Sequence, residues 1–394
     1  MDSIVCRELL QLKTTPMYVF DMEVLEKRIA FLREHLPPEV DLCYAVKANT
    51  FLIKEISSMV ERLEICSPGE LEICQRLAAP PEKFVISGVH KDAVQMTKLM
   101  EETQVGMFTV ESMAQFRMLH QAASNCKKRI PLLLRLTSGN QFGIDEAVLE
   151  EIVADYRESP WVDIRGVQYY SGTQKTSVKK LRRELTSIDD FLDTLAEKYG
   201  YYAAELEFGP GFPVTYFEGE DFDEEAFLQE FKELIAGMRF SGKVTLELGR
   251  SIAASCGSYL TKVVDAKKNH EQNYAIVDGG MHQLSYFGQF MAMKRPHIRH
   301  LSSGEQKDAV DWNICGSLCT VNDILVKQLP LTDLQIGDVL VFENTGAYSM
   351  TEGISLFLSR DLPEIVLRKQ DGSFTTVRRH TMTDTLNTPD YEKR

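Results

Sequence analysis

The sequence predicts an α/β protein: a (β/α)₈ TIM barrel followed by a smaller C-terminal antiparallel β domain. Short, continuously apolar segments alternate with amphipathic helical patterns between residues 24 and 255. Such segments are typical of parallel strands buried on both faces, and eight βα units in about 230 residues fit a closed barrel. An open doubly wound sheet is the alternative, but no GxGxxG motif follows the first strand.

The predicted elements follow one another regularly along the chain. The first helical pattern, VLEKRIAFLREHL, starts at residue 24 and leads into the apolar run VDLCYAVKA, which is the first barrel strand. The later strands alternate with amphipathic helices and read LEICS, KFVISG, VGMFTV, IPLLLRLT, VDIRGVQYYSG, AELEFGPG and KVTLELG. The predicted barrel domain therefore spans residues 24–255.

The second predicted domain is an antiparallel β-barrel or sandwich made of residues 1–23 and 256–381. Its β-branched runs, such as YLTKVVDAKK and PEIVLRKQDGSFTTVRR, are broken by Gly, Pro and Asp-Gly, as in antiparallel sheets. The opening TPMYVFD is also strand-like, so we expect it to pair with the C-terminal sheet. Residues 382–394 are polar, and we expect a disordered tail there.

Composition argues against several classes of partner. The formal net charge of -14 is spread along the chain, which argues against nucleic acid or an anionic membrane. No apolar run approaches the roughly 18 residues of a membrane span, and the N-terminus lacks a signal-peptide pattern. We expect a cytoplasmic protein with reduced thiols. Cys315 and Cys319 have no second pair or nearby histidines, so no metal site is expected.

Polar residues gather where the barrel strands end, the face that carries function in such barrels. The first strand ends on Lys47, although burying an ammonium costs several kcal/mol unless it is paired or deprotonated. Other strand ends carry Glu64, Ser67, Arg135, Tyr170, Gln174, Gly209, Gly211, Glu247 and Arg250. The plain alternatives are that Lys47 reaches solvent along its stem, and that Arg135 and Gln174 only pin strand ends.

The residues at this face fit one coenzyme. The turn FGPGF can bring the backbone amides of Gly209 and Gly211 to a phosphate, with Arg250 as a cation, although a turn without a ligand is the alternative. An amine, a phosphate cradle and a carboxylate together fit pyridoxal phosphate. Lys47 would bind its aldehyde and Glu247 would face its pyridine nitrogen. In this interpretation Lys47 is buried because it is covalently occupied.

A set of motifs extends this interpretation from about Thr15 to Tyr348. TPMYVFD, YAVKAN, LEICSPGEL, FGID, GTQ, EFGPGF, LELGR, GSLC and ENTGAY occur in this order. In this set the sequence resembles the fold-type III pyridoxal-phosphate decarboxylases, which include ornithine, arginine and diaminopimelate decarboxylases. The resemblance implies pyridoxal phosphate as cofactor and a head-to-tail homodimer with two shared active sites.

The resemblance also implies roles for single residues. Lys47 resembles the Schiff-base lysine, and Glu64 and Glu70 occupy the acidic positions after it. Cys319 matches a cysteine that the partner subunit presents to the cofactor and that protonates the carbanion; a buried small hydrophobe is the alternative. Tyr170 stands where the family stacks a histidine on the cofactor ring. The implied cofactor contacts are Lys47, Glu64, Tyr170, Thr173, Gly209, Gly211, Glu247, Arg250 and Tyr348.

Departures from the family pattern concern the substrate. Decarboxylases of basic amino acids place an acid after the cysteine to hold a distal amine, whereas this chain has Thr320. Asp323 is similar to a further acid of the family, and Arg135, Thr320 and Asp323 are the expected substrate contacts. YSGTQ, VDGGMHQ and Cys-Thr look like the branch that serves siderophore and aminoglycoside-antibiotic pathways. The leading hypothesis is α-decarboxylation of an amino acid linked to an acyl group or a carrier protein.

Three alternatives stay open. The first is a decarboxylase of a free diamino acid, namely diaminopimelate, ornithine or lysine. The second is an amino-acid racemase on the same barrel, which an arginine at the ring nitrogen would serve better than Glu247. The third is a non-catalytic cofactor carrier, a class that resembles the barrel alone. His282 is expected to be structural.

Overall fold

The structure is a computed structural model that describes residues 3–288, 292–302 and 308–391. The chain divides into two compact units. The barrel unit comprises Ile29–Pro213 and Phe222–Ile252, and the β unit comprises Met1–Arg28, Val214–Asp221 and Ala253–Arg394. No helix among these described residues is long and apolar enough to cross a membrane.

The barrel unit holds eight parallel strands that close into a barrel, which confirms the predicted fold class. They are β2 (Asp41–Ala45), β3 (Arg62–Ile65), β4 (Phe84–Ile86), β5 (Met107–Val110), β6 (Ile130–Leu136), β7 (Val162–Tyr170), β8 (Glu205–Gly209) and β9 (Lys243–Leu248). The strands pair in chain order, and β9 returns to pair with β2. This closure places Cys43 opposite Glu247 and Ala45 opposite Glu64, so the residues near three strand ends become neighbours.

Amphipathic helices connect the barrel strands, and most of them begin at a side-chain cap. Ser67, Asp92, Ser112, Ser177 and Asp223 each accept a hydrogen bond from a backbone amide of the helix that follows, as strong N-cap residues do. The helices are α2 (Met22–His35), α3 (Ile53–Ile56), α4 (Pro68–Arg76), α5 (Ala93–Glu102), α6 (Met113–Cys126), α7 (Glu146–Tyr156), α8 (Val178–Tyr199), α9 (Glu224–Ala236) and α10 (Arg250–Ala253).

The β unit is built on a mostly antiparallel sheet. Its strands are β1 (Met17–Asp21), β10 (Gly257–Asn269), β11 (Gln272–Val277), β12 (Ile298–Leu301), β13 (Ala309–Cys315), β14 (Ile324–Thr332), β15 (Val339–Glu343), β16 (Glu364–Arg368) and β17 (Phe374–Arg378). The N-terminal strand β1 lies between β10 and β16, which confirms that TPMYVFD pairs with the C-terminal sheet. The β1–β16 and β11–β13 pairs are parallel.

Three segments differ from the expectations. A helix α1 (Ser3–Leu12), which was not predicted, buries Cys6 and Leu9 in the core of the β unit. Residues 214–221 fell inside the predicted barrel domain but belong to the β unit, where Phe217 bridges Pro296. In place of a disordered tail, a short helix α11 (Asp384–Asn387) forms, and the Asn387 amide donates to the carbonyl of Leu356. Residues 392–394 of that expected tail lie outside the described residues.

Candidate active site

Lys47 lies directly after β2 and is surrounded by acidic and sulfur side chains. Its Nζ is 2.8 Å from Oε2 of Glu64, 3.3 Å from Oε1 of Glu247 and 3.6 Å from Sγ of Cys66. The Lys47 side chain is 38% exposed, whereas Glu64 and Glu247 are 3% and 7% exposed. The expectation of a buried lysine is therefore corrected. The two carboxyl groups are buried, whereas the Lys47 side chain that contacts them is partly exposed.

The two carboxyl groups beside Lys47 hold different charges. Burial raises the pKa of Glu247 to about 8, and the nearby charge of Glu64 adds to that rise. Burial also opposes ionisation of Glu64, but the Lys47 ammonium and the hydrogen bonds of this group lower the Glu64 pKa to about 2. Two carboxyl groups this close cannot both ionise easily. At neutral pH Glu64 is the anion and Glu247 holds the proton.

A second layer of polar side chains lies deeper in the barrel. The Gln168 amide donates to Oε1 of Glu207 at 3.0 Å and to Oε2 of Glu247 at 3.4 Å. Glu207 is fully buried, and burial raises its pKa to about 7. Arg62 pairs with both Glu205 and Glu207. Sequence reasoning missed Gln168 and Glu207, which share their strands with other polar residues.

The glycine turn after β8 is fixed by close packing within the barrel unit. A Cβ on Gly209 would overlap the ring of Tyr170, and one on Gly211 would overlap the carbonyl of Gly172. Gly211 also has φ of +64°, which side chains with a Cβ rarely adopt. The Lys175 amide donates to the Gly211 carbonyl at 2.9 Å. The structure thus brings Gly209 and Gly211 together with Tyr170 and Thr173, the loop that the motif GTQ predicted.

Three further cations lie in the barrel unit at or shortly after strand ends. Arg135, predicted to contact substrate, is 3.0 Å from Oε1 of Glu111 and 4.9 Å from the centre of the Phe142 ring. Lys91, which sequence reasoning missed, donates to the Gly88 carbonyl, and burial lowers its pKa to about 8. Its signal was a lysine shortly after a strand, the same pattern that marked Lys47. Arg250 is 7% exposed at the start of α10.

The remaining predicted residues belong to the β unit. Cys319 is exposed and Thr320 is half-buried, on the turn between β13 and β14. Tyr348 has φ of +65°. His282 is buried, both ring nitrogens lack a partner among the described residues, and burial lowers its pKa to about 4. A buried neutral imidazole agrees with the structural role that the sequence suggested.

Asp323 differs from its expected role as a substrate contact. It is 2% exposed, and its carboxylate accepts hydrogen bonds from the amides of Met281 at 2.8 Å and Leu318 at 2.9 Å. A Cβ on Gly280 or Gly316 would overlap this carboxylate. Both oxygens are therefore used to hold the turn that carries Cys319, so the geometry makes Asp323 a positioning residue.

The side chains in the barrel fit pyridoxal phosphate. Lys47 offers a partly exposed amine, Glu247 offers a buried carboxyl that can face the pyridine nitrogen, and the turn with Gly209 and Gly211 follows a neighbouring strand of the same barrel. When bound, the coenzyme supplies an electron sink for a carbanion at the substrate's α-carbon. The described residues contain no cluster of three or more potential metal ligands.

Comparisons with known proteins identify the family of this chain. The family described as "Pyridoxal-dependent decarboxylase, C-terminal sheet domain" matches residues 17–346. A diaminopimelate decarboxylase of Aquifex aeolicus is 26% identical, with 100% of this chain and 95% of the relative covered. An L-glutamyl-[BtrI acyl-carrier protein] decarboxylase of Niallia circulans is 25% identical, with coverages of 94% and 92%.

A solved structure shares the fold. Diaminopimelate decarboxylase from Helicobacter pylori, complexed with L-lysine, superposes with a TM-score of 0.84 at 21% identity and covers 97% of this chain and 98% of its own. The family match spans both the barrel strands and most of the β unit. The chain therefore belongs to the pyridoxal-dependent decarboxylase family and is a pyridoxal-phosphate-dependent amino-acid decarboxylase.

Proposed function

We propose that this enzyme removes the α-carboxylate of an amino acid whose side chain is linked to an acyl group or a carrier protein. The observation that carries the proposal is that the acidic side chains close to the Cys319 turn already accept hydrogen bonds from the protein itself. Asp323 uses both oxygens on backbone amides. Asp278 accepts from the hydroxyls of Thr15 and Thr261 and from the Lys262 amide.

This arrangement disfavours a free diamino acid as substrate. A distal ammonium needs a carboxylate partner to offset its desolvation. Thr320 is neutral where basic-amino-acid decarboxylases have an acid. Asp323 in the same turn and Asp278 directly after β11 both already accept hydrogen bonds within the fold. An amide or thioester in place of the distal ammonium makes no such demand. The relative that acts on an L-glutamyl carrier protein supports the same substrate class.

In this proposal each residue of the site has a separate role. Lys47 would hold the coenzyme through its amine, and Glu247 would keep the pyridine nitrogen protonated. Gly209, Gly211 and Arg250 of the barrel unit would hold the phosphate, and Tyr170 would face the ring. Cys319 of a second copy delivers the proton that replaces the carboxylate, in a cytoplasmic homodimer with shared sites.

The test compares substrates on one enzyme preparation loaded with pyridoxal phosphate. Candidates are an L-glutamyl group linked through its side-chain carboxyl to a carrier protein, the same group on pantetheine, and free diaminopimelate, ornithine and lysine. We expect release of carbon dioxide with kcat/KM at least tenfold higher for the linked glutamyl group. The Lys47→Ala variant is the inactive control.

Two other outcomes would contradict the proposal. Equal or faster turnover of diaminopimelate would favour the free diamino acid, the candidate supported by the Aquifex aeolicus relative. Inversion at the α-carbon without carbon dioxide would indicate a racemase. The Thr320→Asp variant sharpens the test, because a new acid at this position should raise kcat/KM for a free diamino acid and lower it for the linked substrate.

A further inference from the structure

The helix α8 carries four exposed cations within its first six residues. Lys179, Lys180, Arg182 and Arg183 are all exposed. Within the part of the chain that the structure describes, none of them forms an ion pair, whereas Lys198 near the other end of α8 pairs with Glu150. We call these four residues the α8 cation cluster.

The α8 cation cluster lies at the end of the helix where positive charge is electrostatically unfavourable. The amino end of a helix has a positive partial charge, so cations there are unfavourable and acids are favourable. The neighbouring helix α9 follows this rule, since Glu224 and Glu225 occupy its first turn, whereas the first turn of α8 contains no acid. Helix stability therefore does not explain four unpaired cations here, in a chain of net charge -14.

The cluster also lies beside the candidate active site. The segment between β7 and α8 carries Thr173 and follows Tyr170 directly. Glu184, in the second turn of α8, accepts from the Ser171 hydroxyl at 2.5 Å and from Lys175 Nζ at 2.8 Å. These buried bonds hold the first turns of α8 against the loop at the mouth of the barrel.

We propose that the α8 cation cluster docks the acidic carrier protein that delivers the substrate to this mouth. The inference rests on the proposed function and adds a surface and a partner to it. A small acidic protein matches a patch of four cations, and attraction between such exposed charges weakens as salt is added. RNA or an anionic membrane is larger than the cluster and would also cover the rest of the protein surface. Because the chain has a net charge of -14, that surface would repel both of these negatively charged partners.

The experiment reverses the charge of the cluster in the holoenzyme. The variant combines Lys179→Glu, Lys180→Glu, Arg182→Glu and Arg183→Glu. The control makes the same change at four exposed cations on other barrel helices and their ends. Three of them form no ion pair among the described residues, namely Lys54, Arg117 and Lys127, and the fourth, Arg76, pairs with Glu72. We would measure kcat/KM of both variants with the L-glutamyl carrier protein and with the L-glutamyl pantetheine thioester, from low to high salt.

We expect the cluster variant to lose at least tenfold in kcat/KM for the carrier-linked substrate and to lose the salt dependence of that value. Turnover of the pantetheine thioester should not change, and the control variant should resemble the wild type. Because glutamates suit the amino end of a helix, Tm should stay equal or rise. An activity loss with a retained or higher Tm separates docking from misfolding.

Every other result contradicts the docking proposal. These results differ in whether they also contradict the proposed function. Unchanged turnover of the carrier-linked substrate removes the docking surface but keeps the proposed function. Equal losses on both thioesters show that the cluster acts on the site itself. A wild-type enzyme that ignores both thioesters and decarboxylates diaminopimelate removes the proposed function as well. Cluster-dependent binding of RNA or anionic vesicles, with unchanged kinetics, assigns the surface to that partner instead.

Discussion

Glu64 and Glu247 show how the surroundings of two identical side chains shift their pKa values in opposite directions. Both are buried beside Lys47, yet the Lys47 ammonium is nearer to Glu64, at 2.8 Å against 3.3 Å. The pair keeps one proton, which stays on Glu247. Glu207 is a third buried carboxyl group, deeper in the barrel. Its ion pair with Arg62 is long, with Nη1 of Arg62 at 3.6 Å from Oε2 of Glu207. Its charge state is therefore set mainly by burial.

Replacement of Glu207 should change how stability depends on pH. The folded protein raises the Glu207 pKa from 4.5 to about 7, so folding takes up a proton between these values. This contribution to the free energy of unfolding is complete below pH 4.5 and is lost as pH rises to about 7. The wild type should lose up to about 3 kcal/mol relative to Glu207→Gln across this interval.

Chemical denaturation of the apoenzyme at several pH values measures this difference. Glu230→Gln, on the exposed face of α9, is the matched control and should follow the wild type at every pH. Parallel curves for wild type and Glu207→Gln would show that Glu207 is ionised in the fold and that the buried carboxyl groups are arranged differently.

At the scale of an element, the glycine turn depends on a neighbouring loop as much as on its own backbone. Gly211→Ala should weaken binding of pyridoxal phosphate at least tenfold and destabilise the fold by about 2–3 kcal/mol, because the new methyl group meets the Gly172 carbonyl. Gly200→Ala is the control, since Gly200 also has positive φ but an added Cβ has nothing within 4 Å. That control should cost only about 1 kcal/mol and keep coenzyme affinity. Equal affinity in the two variants, measured by titration of the coenzyme absorbance, would contradict this view of the turn.

The elements also show what a sequence can and cannot predict. The barrel strands were predictable because each is a short apolar run, and Lys47 was predictable because it ends one of them. The positioning role of Asp323 was not predictable from the sequence. Its hydrogen-bond partners are the amides of Met281 and Leu318, and only the folded turn brings these together. Gln168 was overlooked because its contact with Glu247 joins strands 79 residues apart. Local patterns predict elements well, whereas contacts between distant segments need the fold.

For the whole molecule, the sharing of active sites between two copies has a direct test. Lys47→Ala and Cys319→Ala chains should each be nearly inactive alone. If each site uses Lys47 of one copy and Cys319 of the other, an equal mixture should recover about one quarter of wild-type activity, because half of the dimers then hold one intact site. Native mass spectrometry confirms that mixed dimers form. Mixed dimers without recovered activity would place both residues in the same copy's site, or outside it.

The place of β1 in the sheet sets an order of events during synthesis. Met17 pairs with Leu260 on one side and with Glu364 on the other, so a strand made early waits for a partner strand, β16, that is made much later. The barrel segments between them can condense earlier, while the ribosome is still translating. Until Arg368 emerges, the backbone edge of the largely apolar strand β1 stays unpaired and open to foreign strands. Chains cut short before that point should therefore aggregate through their amino-terminal residues, even where the barrel has already formed.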